Sequence, residues 1–228
     1  MDVSLVIPAL NEAGNIGEVI ARARRVLDGM GVAYQILICD GGSRDDTIEV
    51  ARQAGAEPFL HVGKGYGAAL RDGFARARGE FIVTMDSDLS HEPEFIETMW
   101  GVRDKADIVI ASRYVRGGLA EMSAFRAVLS KILNITFTTI LQIPVKDISS
   151  GFRLYRRSAV EQISFDANDF DVLEEILIRL YVRGQRVLEV PFHYMPRKEG
   201  RSNAKLFKFA IAYLKTLCKM MRLRWGRR

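Results

Sequence analysis

At 228 residues, with 48% hydrophobic positions and a formal net charge of +5, the chain is long enough for one core-bearing domain and too apolar for intrinsic disorder. Its two cysteines, Cys39 in the run QILIC and Cys218 in a basic tail, exclude a disulfide scaffold and have no metal-ligand spacing, so both are expected as unpaired thiols in a reducing compartment, Cys39 buried. The start, MDVSLVIPALNE, enters a strand with no basic region or cleavable apolar segment before it, so no secretory signal is expected.

Apolar, β-rich runs then alternate with helical periodicity. VSLVIP is followed by a helix from about Asn15 to Leu27, YQILICD by one near Asp46 to Gln53, EPFLH by one near Gly67 to Ala77, and EFIVTMD by one opening at Pro93, before DIVIAS. This alternation predicts an α/β fold, a mainly parallel sheet with helices on both faces, whose ligands belong at the carboxyl ends of the strands. After Arg113 the alternation breaks into a long apolar segment from Ser123 to Val145, a strand-like GFRLYRR, a helix around Leu173 to Val182, the run RVLEVPFHY and a helical stretch from Asn203. No run reaches the roughly 20 uncharged apolar residues that span a bilayer. Lys131 and Asn134 interrupt one segment and Lys215 and Lys219 the other, so no transmembrane helix is expected and any membrane contact is peripheral.

From Arg201 onward the chain carries lysines and arginines but no carboxylate. That asymmetry points to lipid head groups or nucleic acid, or to a merely solvated basic face. Lys205, Lys208, Lys215, Lys219 and Arg222 share one helical stripe, with Phe209, Tyr213, Leu217 and Met220 clustered away from it. This is the pattern of an amphipathic interfacial helix, or else of one whose apolar face packs on the protein's own core. The expected division is a body over 1–202 and a basic amphipathic helix or tail over 203–228.

The unusual residues stand at strand ends: Pro8 to Glu12, Asp40, and Asp86 to Asp88. Two carboxylates at a sheet rim suit Mg²⁺ or Mn²⁺, with substrate phosphates completing the shell; an acidic strand-end turn is the other reading. The loop GKGYGAALRDG lacks GxGxxG spacing, which disfavours a nicotinamide-binding domain, and close packing is the expected use of its glycines.

Taken in order, VIPALNE, ICDGGSRDDT and the DxD of MDSDLSH resemble the family 2 glycosyltransferases with the GT-A fold. The resemblance implies a nucleotide-sugar donor bordered by Pro8, Leu10, Glu12 and Ile38. Asp40 would accept a hydrogen bond from the base, Asp86, Ser87 and Asp88 would hold the ribose and diphosphate, and Mg²⁺ or Mn²⁺ would sit on Asp86, Asp88 and Ser90. Lys64 would lie near the donor. ASRY, FRAVLSK, DISSGFR and RKEGRSN resemble the dolichyl-phosphate mannose synthases and their polyprenyl-phosphate relatives, so the resemblance covers nearly the whole chain. It implies Arg113, Arg126 and Ser130 at the acceptor phosphate, Arg113 also beside the donor, and Arg197 at the departing diphosphate; Asp88, Arg113 and Arg126 would carry catalysis. Arg126 and Ser130, four apart, share one helix face. The chain departs from the pattern at Gly41, where many members have a second Asp, at Ser90, where a Gln is usual, and at Asn203, where a Lys is usual; Lys205 follows one turn later. His91 and His193 are expected to be structural.

The activity so implied is inverting, metal-dependent transfer of a hexose, foremost mannose from GDP-mannose, to a polyprenyl or dolichyl phosphate by a protein peripheral to the cytoplasmic face of a membrane. An anionic membrane surface is then an expected partner and nucleic acid is not. Three alternatives stay open: a UDP-glucose donor, a hydroxyl acceptor needing a carboxylate base such as Asp147, and a non-catalytic membrane-docked subunit that binds a nucleotide sugar.

Overall fold

The computed structural model describes residues 1–195 and 206–226, without the side chains of Ala124, Arg126 and 206–212. At the centre of the sheet lies β1 (Val3–Ala9), apolar on both faces: Val3, Leu5 and Ile7 enter one core and Val6 the other. It pairs in parallel with β2 (Tyr34–Asp40) along its whole length, and with β4 (Phe81–Thr84) only as far as Val6 opposite Thr84. Outside β2 runs β3 (Glu57–Leu60), also parallel. On the other flank β7 (Arg153–Arg156) lies antiparallel between β4 and β5 (Ile108–Ser112), and β8 (Val187–Pro191) is parallel to β5, giving the order β3-β2-β1-β4-β7-β5-β8. A separate ribbon pairs β6 (Leu119–Ala120) with β9 (His193–Tyr194).

Helices cover both faces. On one side α1 (Ala13–Gly29), α2 (Thr47–Gln53) and α4 (Phe95–Trp100) bury Ile16, Val19, Ala51, Ile96 and Met99. On the other, α3 (Tyr66–Arg76), α5 (Ala124–Leu141), α6 (Arg157–Val160), α7 (Val172–Val182) and α8 (Leu206–Trp225) build the second core. The α/β fold and its mainly parallel sheet agree with the sequence, and helix bounds shift by a residue or two. The antiparallel direction of β7 and the β6–β9 ribbon were not legible. A strand's side chains report its burial, whereas its direction is set by the connection leading to it.

The C-terminal helix corrects one expectation. Among its described side chains, Leu217 and Met220 are buried in the core shared with α7 and Tyr213 packs against it, while Leu214 and Met221 stay exposed. Thr216 Oγ1 donates to Asp171 at 2.6 Å, and Lys219 is turned inward to Asp166 and, at 2.7 Å, to Glu175. Leu217 and Met220 therefore cannot reach a membrane and Lys219 does not join a cationic stripe, whereas Lys215 and Arg222 are exposed. Lys205 lies outside the described residues, as do the side chains of Lys208 and Phe209. The exposed apolar face belongs instead to α5, where Phe125, Val128, Leu129, Ile132 and Ile135 face outward while Phe137 and Leu141 face the core. Among the described residues no helix is long and apolar enough to cross a membrane. Both cysteines are free thiols, Cys39 buried and Cys218 exposed.

Candidate active site

The strand order reverses at β1: β2 and β3 follow on one side and β4 on the other. Such a reversal opens a crevice at the carboxyl ends of the strands. Pro8, which has no amide to donate, lies beyond the last β1–β4 pair, where the two strands separate. Leu10 is 44% exposed there. Asn11 takes a left-handed φ of 56°, a conformation that Asn tolerates better than most residues.

The loop after β2 ties this first loop down. The Asn11 amide donates to Ser43 Oγ at 2.9 Å, the Arg44 amide to Asn11 Oδ1 at 2.8 Å, and the Glu12 amide to Thr47 Oγ1 at 2.8 Å. Asp40 organises that second loop. It is fully buried, and its carboxylate accepts from the amides of Gly42 and Ser43 and from Ser43 Oγ. Asp40, expected to meet the base, also shapes the turn through these local donors. Ile38, expected to border the donor, is fully buried in the core beneath the loop.

Across the crevice the DxD turn is tightly held. The Asp86 amide donates to His91 Nδ1 at 3.0 Å, which leaves the proton on Nε2, 3.8 Å from Asp86 Oδ2. Burial lowers the His91 pKa against the opposing pull of Asp86 and Asp88, so the ring is neutral; it stacks on Phe152 with centroids 5.0 Å apart. His91 is thus a structural histidine, as expected. His193 is exposed and bonds Glu121 at 2.7 Å, away from this turn. Asp88 is almost fully buried, and its Oδ1 accepts from the amide and hydroxyl of Ser90 at 3.1 and 2.5 Å. Ser90, itself fully buried, orients Asp88 through this pair of hydrogen bonds. Ser87 between them is buried, and Leu89 sits at φ 62°, a strained conformation for a branched side chain. Gly151 makes room for this arrangement: a Cβ there would meet the Tyr66 hydroxyl at 2.9 Å and Asp86 Oδ1 at 3.6 Å.

The donor set fits a hard divalent cation. Asp86 and Asp88 supply two carboxylates at the crevice rim, of which Asp86 is partly exposed. Mg²⁺ and Mn²⁺ ordinarily take only one or two protein carboxylates. Among the described residues no cluster of three or more His, Cys, Asp or Glu forms a self-sufficient metal cage, so such an ion would need substrate oxygens.

At the end of β5, Arg113 is gripped by Asp147 through Nε at 2.8 Å and Nη2 at 2.7 Å, and Nη2 also donates to Ser149 Oγ at 2.8 Å. Burial pulls the guanidinium pKa down, but the Asp147 hydrogen bond and charge outweigh it and the net shift is upward. Asn134 Nδ2 joins Ser149 Oγ at 3.1 Å to Ser130 O at 2.8 Å, and its Oδ1 accepts from the Ile148 amide at 2.7 Å. Arg113 and Ser130 are therefore brought together through Ser149 and Asn134. Arg126 lies one turn earlier on α5, but its side chain, like all of Arg197 and Asn203, falls outside the described residues.

Tyr194 connects the two clusters, its ring centroid 5.7 Å from the Arg113 guanidinium and 5.9 Å from His91. Sequence reasoning missed Tyr194, Ser149 and Asn134 as site residues. Only the DISSGFR motif hinted at one of them. The glycines of GKGYG pack on protein: the Gly67 amide donates to Asn168 O at 2.8 Å, and a Cβ on Gly65 would fall 2.3 Å from that oxygen. Lys64 is exposed beside them.

The glycosyl transferase family 2 description matches residues 4–164. Dolichol-phosphate mannosyltransferase of Pyrococcus furiosus is 35% identical over 97% of this chain and 64% of its own length. Undecaprenyl-phosphate 4-deoxy-4-formamido-L-arabinose transferase of Shewanella sediminis is 30% identical over 88% of this chain and 61% of its own. The chain thus spans a little under two thirds of the length of these relatives. Glucosyl-3-phosphoglycerate synthase from Mycobacterium tuberculosis, solved in complex with Mn²⁺, UDP and phosphoglyceric acid, shares the fold at a TM-score of 0.79 and 23% identity, over 96% of this chain and 78% of that one. With a GT-A-like sheet, three strand-end motifs around one crevice and a family match that runs from β1 past α6, the chain belongs to glycosyltransferase family 2.

Proposed function

We propose that this protein transfers a hexose, foremost mannose from GDP-mannose, to a polyprenyl phosphate at the cytoplasmic surface of a membrane. The observation that carries the reading is the hydrogen-bonded line Arg113–Ser149–Asn134–Ser130, which runs from the crevice rim to α5, a helix whose outer face is apolar and exposed. A polar notch at the root of an apolar helix suits a lipid carrying a phosphate. The mannosyltransferase relative supports the choice of sugar, and the free thiols fit a reducing, cytosol-facing surface.

Pro8, Leu10 and Glu12 line the donor side, and Asp86 and Asp88 would hold Mg²⁺ or Mn²⁺. The cation supplies charge stabilisation to the departing diphosphate. Arg197 is assigned to the same diphosphate on its motif. An acceptor phosphate monoester is ionised near neutral pH, its second pKa being about 6, so no strong base is needed. Arg113 and Ser130, with Arg126 one turn away, orient its oxygen for direct displacement, which inverts the anomeric carbon. Asp147 is fully buried and held by two hydrogen bonds from the Arg113 side chain, which argues against its meeting a hydroxyl acceptor.

The test is incubation with GDP-mannose or UDP-glucose, a short polyprenyl phosphate and Mn²⁺, followed by identification of the nucleoside diphosphate and glycolipid. GDP together with a mannosyl lipid is expected. Product only with a hydroxyl acceptor, or no turnover with any nucleotide sugar, would overturn the reading.

A further inference from the structure

Where β1, β2 and β3 end together, Ala9 stands opposite Asp40 and Asp40 opposite Leu60. One residue further on, Leu10, Gly41 and His61 form a row, joined by Gly41 N to Ala9 O at 2.9 Å and His61 N to Asp40 O at 3.1 Å. The middle member has no side chain. A Cβ on Gly41 would stand 3.5 Å from both His61 Nε2 and Leu10 Cδ1, so the glycine opens a gap between an imidazole edge and an apolar wall. Leu10 and Gly41 at this gap are exposed, as are Leu60 and Val62 on either side of His61 in the chain.

His61 itself is only 8% exposed, and its buried Nδ1 has no hydrogen-bond partner among the described residues. Among the described residues no hydrogen bond to Nδ1 fixes the tautomer, so Nε2 can present either a proton or a lone pair toward the gap. Apolar walls with one adaptable polar edge suit a planar heterocycle. They suit neither a phosphate, which needs cations or several amides, nor a divalent cation, which needs oxygens.

We propose that His61 reads the edge of the donor's nucleobase through Nε2 and sets which nucleoside diphosphate the crevice prefers. This rests on the nucleotide-sugar reading above. It gives Gly41 a purpose as well: where relatives of this pattern carry an acidic side chain, this chain leaves room for a group from the neighbouring strand.

The experiment measures binding of GDP, UDP and inorganic pyrophosphate, each with Mn²⁺, to the full chain and to His61→Ala, His61→Gln and Gly41→Leu. The wild-type protein should prefer one nucleotide. His61→Ala should weaken that nucleotide by about tenfold, change the other less and leave pyrophosphate unchanged. His61→Gln, which keeps a donor and an acceptor, should recover part of the preference, and Gly41→Leu should lose it with His61 intact. Equal losses for all three ligands would mark His61 as structural and overturn the proposal. So would a wild-type protein that does not discriminate, or unchanged discrimination in both His61→Ala and Gly41→Leu. A wild-type protein that binds neither nucleotide would overturn the donor reading itself.

Discussion

Asp88 shows how closely a single residue can be specified: Ser90 holds its Oδ1 from two sides, and Leu89 accepts a left-handed backbone to make that turn. On the proposed function, Asp88→Ala should lower turnover by roughly a hundredfold or more and abolish Mn²⁺-dependent donor binding, with the thermal midpoint little changed. Full turnover in excess chelator would contradict the assignment. Glu174 offers a test unrelated to activity. It is fully buried on α7, both its oxygens lack a hydrogen-bond partner among the described residues, and burial pushes its pKa to about 8 despite nearby Arg153. An unfolded glutamate titrates near 4.3, so between these values the folded chain keeps a proton that the unfolded chain has released. This contribution to stability is complete below the lower value and declines as pH rises, by at most about 1.4 kcal/mol per pH unit, levelling off above the higher one. Glu174→Gln removes that slope. Thermal unfolding at pH 5 and pH 8 should show a smaller difference between the two midpoints in the variant than in the wild type. The run DVLEEILIRL reads as a helix, and nothing in it announces that Glu174 and Glu175 are both buried.

Two helices with similar sequence patterns meet opposite fates. α5 and α8 each alternate apolar and polar positions, but only contacts distant in the chain decide which apolar face is covered. For α8 the cover is α7 and the core. Met220→Ala should therefore destabilise the fold by about 2 to 5 kcal/mol, while exposed Leu214→Ala stays within about 0.5 kcal/mol; urea unfolding separates the two. For α5 the face with Ile132 and Ile135, 56% and 63% exposed, has no described cover. Ile132→Glu with Ile135→Glu should greatly reduce sedimentation with anionic vesicles at low salt while donor binding is retained. Unchanged sedimentation would remove α5 from any membrane role.

At the scale of the molecule, the central sheet and its crevice were legible because strand burial and strand-end chemistry are both local. The family resemblance named Arg113 and Ser130, but the Ser149–Asn134 link that completes the line between them was not legible, since these residues come from separate stretches of chain and Asn134 reads simply as a polar interruption of an apolar helix. That line ties the sheet to α5. Asn134→Leu should raise the polyprenyl-phosphate requirement about tenfold with little change in the donor requirement, as measured by steady-state kinetics. A matching change in both would indicate a general loss of structure.

The antiparallel insertion of β7 also bears on how the chain is made. β4 and β5 do not pair with each other, and each borders β7, which comes from 153–156. Until that segment leaves the ribosome, both strands present unpaired edges of a kind prone to mispairing with other chains. Fragments ending after β5 should then aggregate, while a nascent chain extended past Arg156 can bridge β4 and β5 and needs only β8 to cover the last edge of β5.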